Sequence, residues 1–159
     1  MQGKPVSASQ VVMSRLMQPM DANPMGNVHG GVILRLMDEA GGVTAIRHSR
    51  TRAVTAAIDS FSFHHPVFVG DLVTVKAQVN WVGNTSMEVG VRVEAENVLT
   101  GRVTHTSSGY LVYVALDQQN LPKEVPPLIP ESDEDRRHMA EAEQRQQARL
   151  RARQEKKSP

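Results

Sequence analysis

The 159-residue chain contains no cysteine. Disulfides, zinc–thiolate centres and a thiol nucleophile are therefore excluded. No apolar run approaches the ~20 residues that a membrane-spanning helix needs. The N-terminal stretch MQGKPVSASQVVMSRL has no apolar segment ahead of a cleavage site, so no secretory leader is expected. A strong charge of one sign is missing too. The 18 Lys and Arg against 17 Asp and Glu leave a net +1, which offers no electrostatic case for nucleic acid or a membrane surface. A soluble, cytoplasmic protein is the expectation.

What is present suits one globular domain: 40% apolar residues and enough length for a core. Along Leu72 to Trp81, Val73, Val75, Ala77, Val79 and Trp81 alternate with Thr74, Lys76, Gln78 and Asn80. Period two marks a strand with one buried face. After the turn VGN, Met87, Val89, Val91, Val93 and Ala95 face one way, and Glu88, Arg92, Glu94 and Glu96 the other. LTG turns the chain into a third strand, RVTHTSSGYLVYVAL, which completes an antiparallel meander. RAVTAAIDSFSF, from Arg52 to Phe63, reads as another strand, and QVVMSRL as a first short one.

The strong helical pattern in the body runs from Val28 to about His48. Val32, Leu36, Ala40 and Val43 share a face, flanked by Ile33 and Met37. At ~1.5 Å per residue such a helix is about 31 Å long, the length of a nine- or ten-residue strand. The expected class is α+β, with one long helix wrapped by a five-stranded antiparallel sheet. Free sheet edges predict pairing with a second copy.

Composition changes at VPPLIPESDED. The expected organisation is a body over 8–118, a proline-rich linker over 119–130 and a charged tail over 131–159. The tail carries eight Lys/Arg and seven Asp/Glu and cannot build a core. Ser132 with Asp135 forms a capping pair, acids lead and arginines follow, and Asp133–Arg137 and Glu141–Arg145 have i,i+4 spacing. Two readings stay open: a polar helix docked weakly on the body or a neighbouring subunit, or a frayed tail.

The stretch NPMGNVHGGVILRLMDEAGG, from Asn23 to Gly42, concentrates the unusual chemistry. Asn23-Pro24 favours a turn. Gly30-Gly31 costs helix stability, roughly 1 kcal/mol each relative to alanine. Either the helix start packs closely on a strand, or bare N–H groups at the helix N-terminus face a substrate oxygen. Asp38 lies among apolar residues two turns in. It is solvent-facing beside Glu39, salt-bridged or lining a cleft, because an unpaired buried carboxylate is expensive. His29 is a general base or a packing group. Adjacent His64 and His65, with no cysteine and no HExxH spacing, do not make a metal site.

The segment DANPMGNVHGGVILRLMDEAGG resembles the hotdog-fold acyl-CoA thioesterases, in particular the cytosolic long-chain (brain) acyl-CoA hydrolase group and its bacterial relatives. The resemblance continues through FHHPVFVGD, VEAENVLTG and YVAL into the Arg- and Gln-rich tail. It implies a helix wrapped by a sheet, hydrolysis of fatty acyl-CoA, and no metal or redox cofactor. It also implies a site shared between two hotdog units, with an asparagine from the turn of one and an aspartate from the helix of the other. The matching residues are Asn23 and Asp38. This chain has one unit, so the resemblance implies a homodimer with two shared sites, in a hexamer built as a trimer of dimers. Asp38 would act as general base or nucleophile. A backbone N–H of Gly30 or Gly31 would stabilise the oxyanion. The turn Gly83, Asn84, Thr85 and Ser86 either faces CoA or is a plain hairpin turn.

Two rivals remain. A hotdog enoyl-CoA hydratase would pair an aspartate, Asn-Pro and a histidine, but Asp21 and His29 stand eight apart with MGNV intervening. A non-catalytic acyl-CoA-binding sensor would need an output domain, and no helix-turn-helix pattern precedes Gln10 or occupies the tail.

Overall fold

The computed structural model describes residues 1–158. Strand β1 is the short Lys4–Pro5, β2 is Val11–Leu16, helix α1 is Gly30–Ser49 and β3 is Arg52–Phe63. The meander follows as β4 (Asp71–Val82), β5 (Ser86–Asn97) and β6 (Arg102–Leu116). The chain closes with β7 (Leu128–Ile129) and helix α2 (Asp133–Lys157). The five-stranded sheet is antiparallel, ordered β2-β4-β5-β6-β3. It curls around α1, which contacts all five strands.

The meander follows its alternation closely. Val73, Val75, Val79, Val89, Val91 and Val93 are buried against α1. Burying each such side chain stabilises the fold by about 1.5–3 kcal/mol. At the end of β4 a bulge between Val79 and Trp81 breaks the period, so Asn80 is buried and Trp81 only half-buried.

Helix α1 begins at Gly30, two residues later than its apolar period predicts. Val28 is held in an isolated bridge with Ala22 and donates its N–H to the Val67 carbonyl. The buried stripe is Ile33, Leu36, Met37, Ala40, Thr44 and Ala45, whereas Val43 is 41% exposed and Val32 only half-buried. The two stripes share Leu36 and Ala40, and the flanking Ile33 and Met37 decide the phase. The helix stops at Arg50, which takes a left-handed conformation and returns its N–H to the Ile46 carbonyl.

The tail is neither loose nor frayed. It forms one 25-residue helix whose Ser132 side chain accepts from the Asp135 N–H. Helix α2 lies on the outer face of the sheet, opposite α1. Glu88, which alternation places on the outer face, is fully buried beneath it. Arg145 donates to both Glu88 oxygens, with its shortest contact 2.8 Å, and Arg149 donates to Glu88 Oε2 at 2.9 Å and to Asp59 at 3.0 Å. Arg145 also stacks 3.6 Å above the Tyr110 ring. Arg145 therefore pairs with Glu88 rather than Glu141, and Asp133 pairs with Arg136 rather than Arg137.

The proline-rich stretch is packed too. Val125 and Leu128 are buried, β7 pairs in parallel with β1, and the buried His48 ring hydrogen-bonds the Pro126 carbonyl at 2.8 Å. Residue 159 lies outside the described residues. No helix among the described residues is long and apolar enough to cross a membrane.

Candidate active site

Asp38 is half-buried on α1 and faces the edge strand β3. One of its oxygens is doubly held. Thr55 Oγ1 donates to Oδ1 at 2.7 Å and the Tyr113 hydroxyl donates to the same atom at 3.0 Å. Thr55 and Tyr113 are direct cross-strand partners in the β3–β6 ladder, so sheet register places two hydroxyls side by side under the helix. Oδ2 accepts nothing among the described residues. Burial first, then the Asp38 charge beside it, pushes the Tyr113 phenol well above its ordinary value, so its proton stays on as a donor.

Asn23 occupies a different place. Its Oδ1 accepts from the N–H groups of Met25 and Asn27, which folds residues 23–27 into a tight turn closed by Asn23 N–H to the Asn27 carbonyl at 2.6 Å. Gly26 completes the turn at φ +90°, a conformation that favours glycine. Asn23 and Gly30 line an open cleft of about 340 Å³ with Phe63, His64 and Pro66, and Asp38 does not line it. Asp38 stands eight residues beyond Gly30, about 12 Å along the helix. A single protomer thus keeps the two residues apart.

The glycines at the helix start are not forced by packing. A Cβ on Gly31 would meet nothing within 4 Å, and one on Gly30 would touch only the Phe63 ring at 3.6 Å, an ordinary contact. The first intrahelical bonds come from Val32 and Ile33, both to the His29 carbonyl, and leave the Gly30 and Gly31 N–H groups ahead of the ladder. The exposed His29 is the N-cap, but its side chain caps nothing.

The 83–86 turn is closed by the Gly83 N–H donating to the Ser86 carbonyl at 2.8 Å. A Cβ on Gly83 would come 2.7 Å from the Trp81 ring, so the ring would have to shift to admit a side chain there. The Asn84 and Thr85 carbonyls accept from Val125 and Ala115. The Thr85 and Ser86 hydroxyls make no hydrogen bond among the described residues. Ser86 pairs with Val114, one position along β6 from Tyr113.

The hydratase pair does not form. Asp21 is buried and its carboxylate is committed to Arg15 at 2.7 Å and to the Gln18 N–H at 2.8 Å. Among the described residues no three His, Asp or Glu side chains gather as metal ligands.

The family model for the thioesterase superfamily matches residues 25–108, which include α1, Asp38, Thr55 and the 83–86 turn. The chain belongs to the thioesterase superfamily. Its five-stranded sheet and central helix are the hotdog fold of that family. A mouse cytosolic acyl coenzyme A thioester hydrolase is 36% identical over 88% of this chain, which spans only 37% of that protein's length. A hexameric acyl-CoA thioesterase, solved in its apo form, is 38% identical and superposes with a TM-score of 0.92 over 96% of this chain and 97% of its own. The acyl-CoA hydrolase of Staphylococcus aureus, solved with butyryl coenzyme A, coenzyme A and coenzyme A disulfide, is 34% identical with a TM-score of 0.89, covering 97% of this chain and 94% of its own. That hydrolase has also been solved with an asparagine, an aspartate and a threonine each replaced by alanine, the three positions standing fifteen and then seventeen residues apart.

Thr55 and Tyr113 were not legible as thioesterase site residues from the sequence. Thr55 reads as one polar residue in a strand, and Tyr113 as an inward-facing core aromatic. Their approach to Asp38 needs the β3–β6 register, which no short motif encodes.

Proposed function

We propose that this chain is an acyl-CoA thioesterase that hydrolyses fatty acyl-CoA to free fatty acid and CoA, with Asp38 as the general base. The carrying observation is the carboxylate itself. Two hydroxyl donors hold Oδ1, Oδ2 is left open, and the group lies over the free sheet edge. Asn23, Asp38 and Thr55 also have the spacing of the three residues substituted in the Staphylococcus aureus hydrolase.

In this reading Asp38 Oδ2 takes a proton from water as the water oxygen bonds to the thioester carbonyl carbon. The Gly30 or Gly31 N–H stabilises the oxyanion. Collapse breaks the C–S bond, and the CoA sulfur takes the proton back from Asp38. Water and thioester become acid and thiol, with no other reactant. The Thr85 and Ser86 hydroxyls hold the pantetheine or phosphate portion of CoA.

The second component comes from another copy. Strand β3 is a 12-residue edge that leaves Val54 and Ile58 each 47% exposed, an arrangement that calls for a partner strand. A second copy paired there brings its own residues to Asp38. We assign Asn23 of the partner subunit to hold the water or the thioester opposite Asp38. A symmetric dimer then has two sites, and a trimer of such dimers is the expected assembly.

Incubation with palmitoyl-CoA and a thiol reagent tests the reaction: CoA release supports it, and hydration of an enoyl-CoA without CoA release overturns it. Mixed dimers test the sharing. Asn23→Ala and Asp38→Ala are each expected to be nearly inactive. Their heterodimer recovers activity, because one of its two sites keeps both groups. Verified mixing with no recovery rules out a shared site.

A further inference from the structure

The helix that carries Asp38 also carries Gly41, in its interior, where glycine costs about 1 kcal/mol relative to alanine. Its backbone is ordinary and needs no left-handed conformation. The reason lies across the core. A Cβ on Gly41 would sit 2.4 Å from the Tyr113 hydroxyl and 3.1 Å from its ring carbon Cζ. Tyr113 is 1% exposed, yet its hydroxyl passes the helix at this one gap and ends on Asp38, one turn earlier, touching both the carbonyl at 3.1 Å and Oδ1 at 3.0 Å. A side chain at residue 41 would close the gap.

We infer that Gly41 and Tyr113 form a positioning device for the hydrolytic carboxylate: the missing side chain at 41 admits the phenol, and the phenol fixes Asp38 Oδ1 so that Oδ2 is the reacting oxygen. The inference rests on the reading of Asp38 given above. Tyr113 and Gly41 touch neither water nor thioester and act only through Asp38. Thr55 approaches Oδ1 from the exposed edge strand, whereas Tyr113 approaches from the core. Between them the carboxylate is held against rotation about its last bond. A carboxylate free to turn would spend part of its time with neither oxygen aimed at water, which lowers kcat without changing substrate affinity.

The test compares Tyr113→Phe, Gly41→Ala and the double variant on palmitoyl-CoA, with Asp38→Ala alongside. Tyr113→Phe keeps the ring and removes one donor. Its kcat should fall about tenfold with KM unchanged, the size expected for a hydrogen bond to a charged group that matters in the transition state. Gly41→Ala should show a loss of the same order, and the two should not add. With the hydroxyl gone the 2.4 Å clash is removed and the tightest approach left is the ring at 3.1 Å, so the double variant should lie close to Tyr113→Phe. Additive losses, or a rise in KM with kcat intact, overturn the inference. Wild-type kcat in Tyr113→Phe overturns it while an inactive Asp38→Ala leaves the thioesterase reading standing. Full turnover in Asp38→Ala removes both.

Discussion

Asp38 and Glu88 are both carboxylates at a helix–sheet contact, one on the helix and one on the sheet, and the chain treats them in opposite ways. Glu88 is fully buried on the outer face of the sheet, and two arginines of α2 saturate both its oxygens. Asp38 is half-buried on the inner side, meets no cation among the described residues, and is held at one oxygen by two neutral hydroxyls. A carboxylate locked between guanidinium groups has both oxygens occupied. It binds an otherwise polar helix to the sheet, and it is strongly destabilising only if one partner is removed. A carboxylate oriented by hydroxyls at one oxygen keeps the other open. The burial of an acid therefore says less about its role than the identity of its donors and the number of oxygens they occupy.

Amide substitution at the two positions should separate the roles. Asp38→Asn keeps the shape and removes the base, so turnover should fall by about 10²–10⁴-fold with the melting midpoint unchanged. Glu88→Gln should do the reverse. It leaves Arg145 without its anion and Arg149 with Asp59 alone, and should cost about 3 kcal/mol, read as a fall of roughly 10 °C in melting midpoint, while turnover per folded molecule is kept. Activity and thermal denaturation measured on both variants decide the matter. A stable, inactive Glu88→Gln would break the contrast.

The same contrast shows what sequence can carry. The meander was readable because the period of two runs unbroken through Val73–Val79 and Val89–Val93. Asp38 stands out as a carboxylate among apolar helix positions, but its pairing with Asn23 comes only from family resemblance, and the two lie apart within one protomer. Alternation correctly assigns Glu88 to the outer face, but it carries no sign that α2 covers that face. That helix has almost no apolar stripe. Among its residues only Ala142 is fully buried, and it docks through Arg145 and Arg149, about 60 residues distant from Glu88 in sequence. Long-range charge pairing leaves no periodic signal. Thr55 and Tyr113 escaped for a related reason, since strand register is a property of two segments and of the bulge between Thr55 and Ala57.

A titratable group on the inner side gives a smaller effect. The buried His48 ring bonds the Pro126 carbonyl, while its Nδ1 has no partner and the Lys4 ammonium lies on the His48 carbonyl at 2.6 Å. Burial holds the imidazole below its ordinary value of 6.5, opposed by the bond to Pro126 and reinforced by Lys4. The unfolded chain therefore binds a proton at a pH where the folded chain resists it. The stability contributed by neutral His48 is complete above about pH 6.5 and is lost as pH falls below it. Urea midpoints at about pH 8 and about pH 5.5 should show this loss, and His48→Gln, which can still donate to Pro126, should flatten that part of the slope. An unchanged slope would mean that His48 takes up its proton over the same pH range in the folded and unfolded chains.

The smallest change discriminates most finely between packing and chemistry on α1. At Gly41 and Gly83 a Cβ would strike a ring, so their glycines are explained by contacts within the chain. At Gly31 a Cβ would meet nothing within 4 Å, and the backbone there is an ordinary helical one. Alanine is the better helix former, so Gly31→Ala should leave the melting midpoint unchanged or raise stability by about 0.5 kcal/mol. If close packing were the reason for Gly31, the variant would be destabilised and its turnover per folded molecule kept. If the bare N–H must approach a substrate oxygen, the variant is as stable as the parent, yet kcat/KM falls several-fold because a methyl group stands beside the donor. Denaturation and steady-state kinetics on this one variant assign the glycine either to the fold or to the oxyanion. A variant indistinguishable from the parent in both would remove Gly31 from the site and leave Gly30 as the donor.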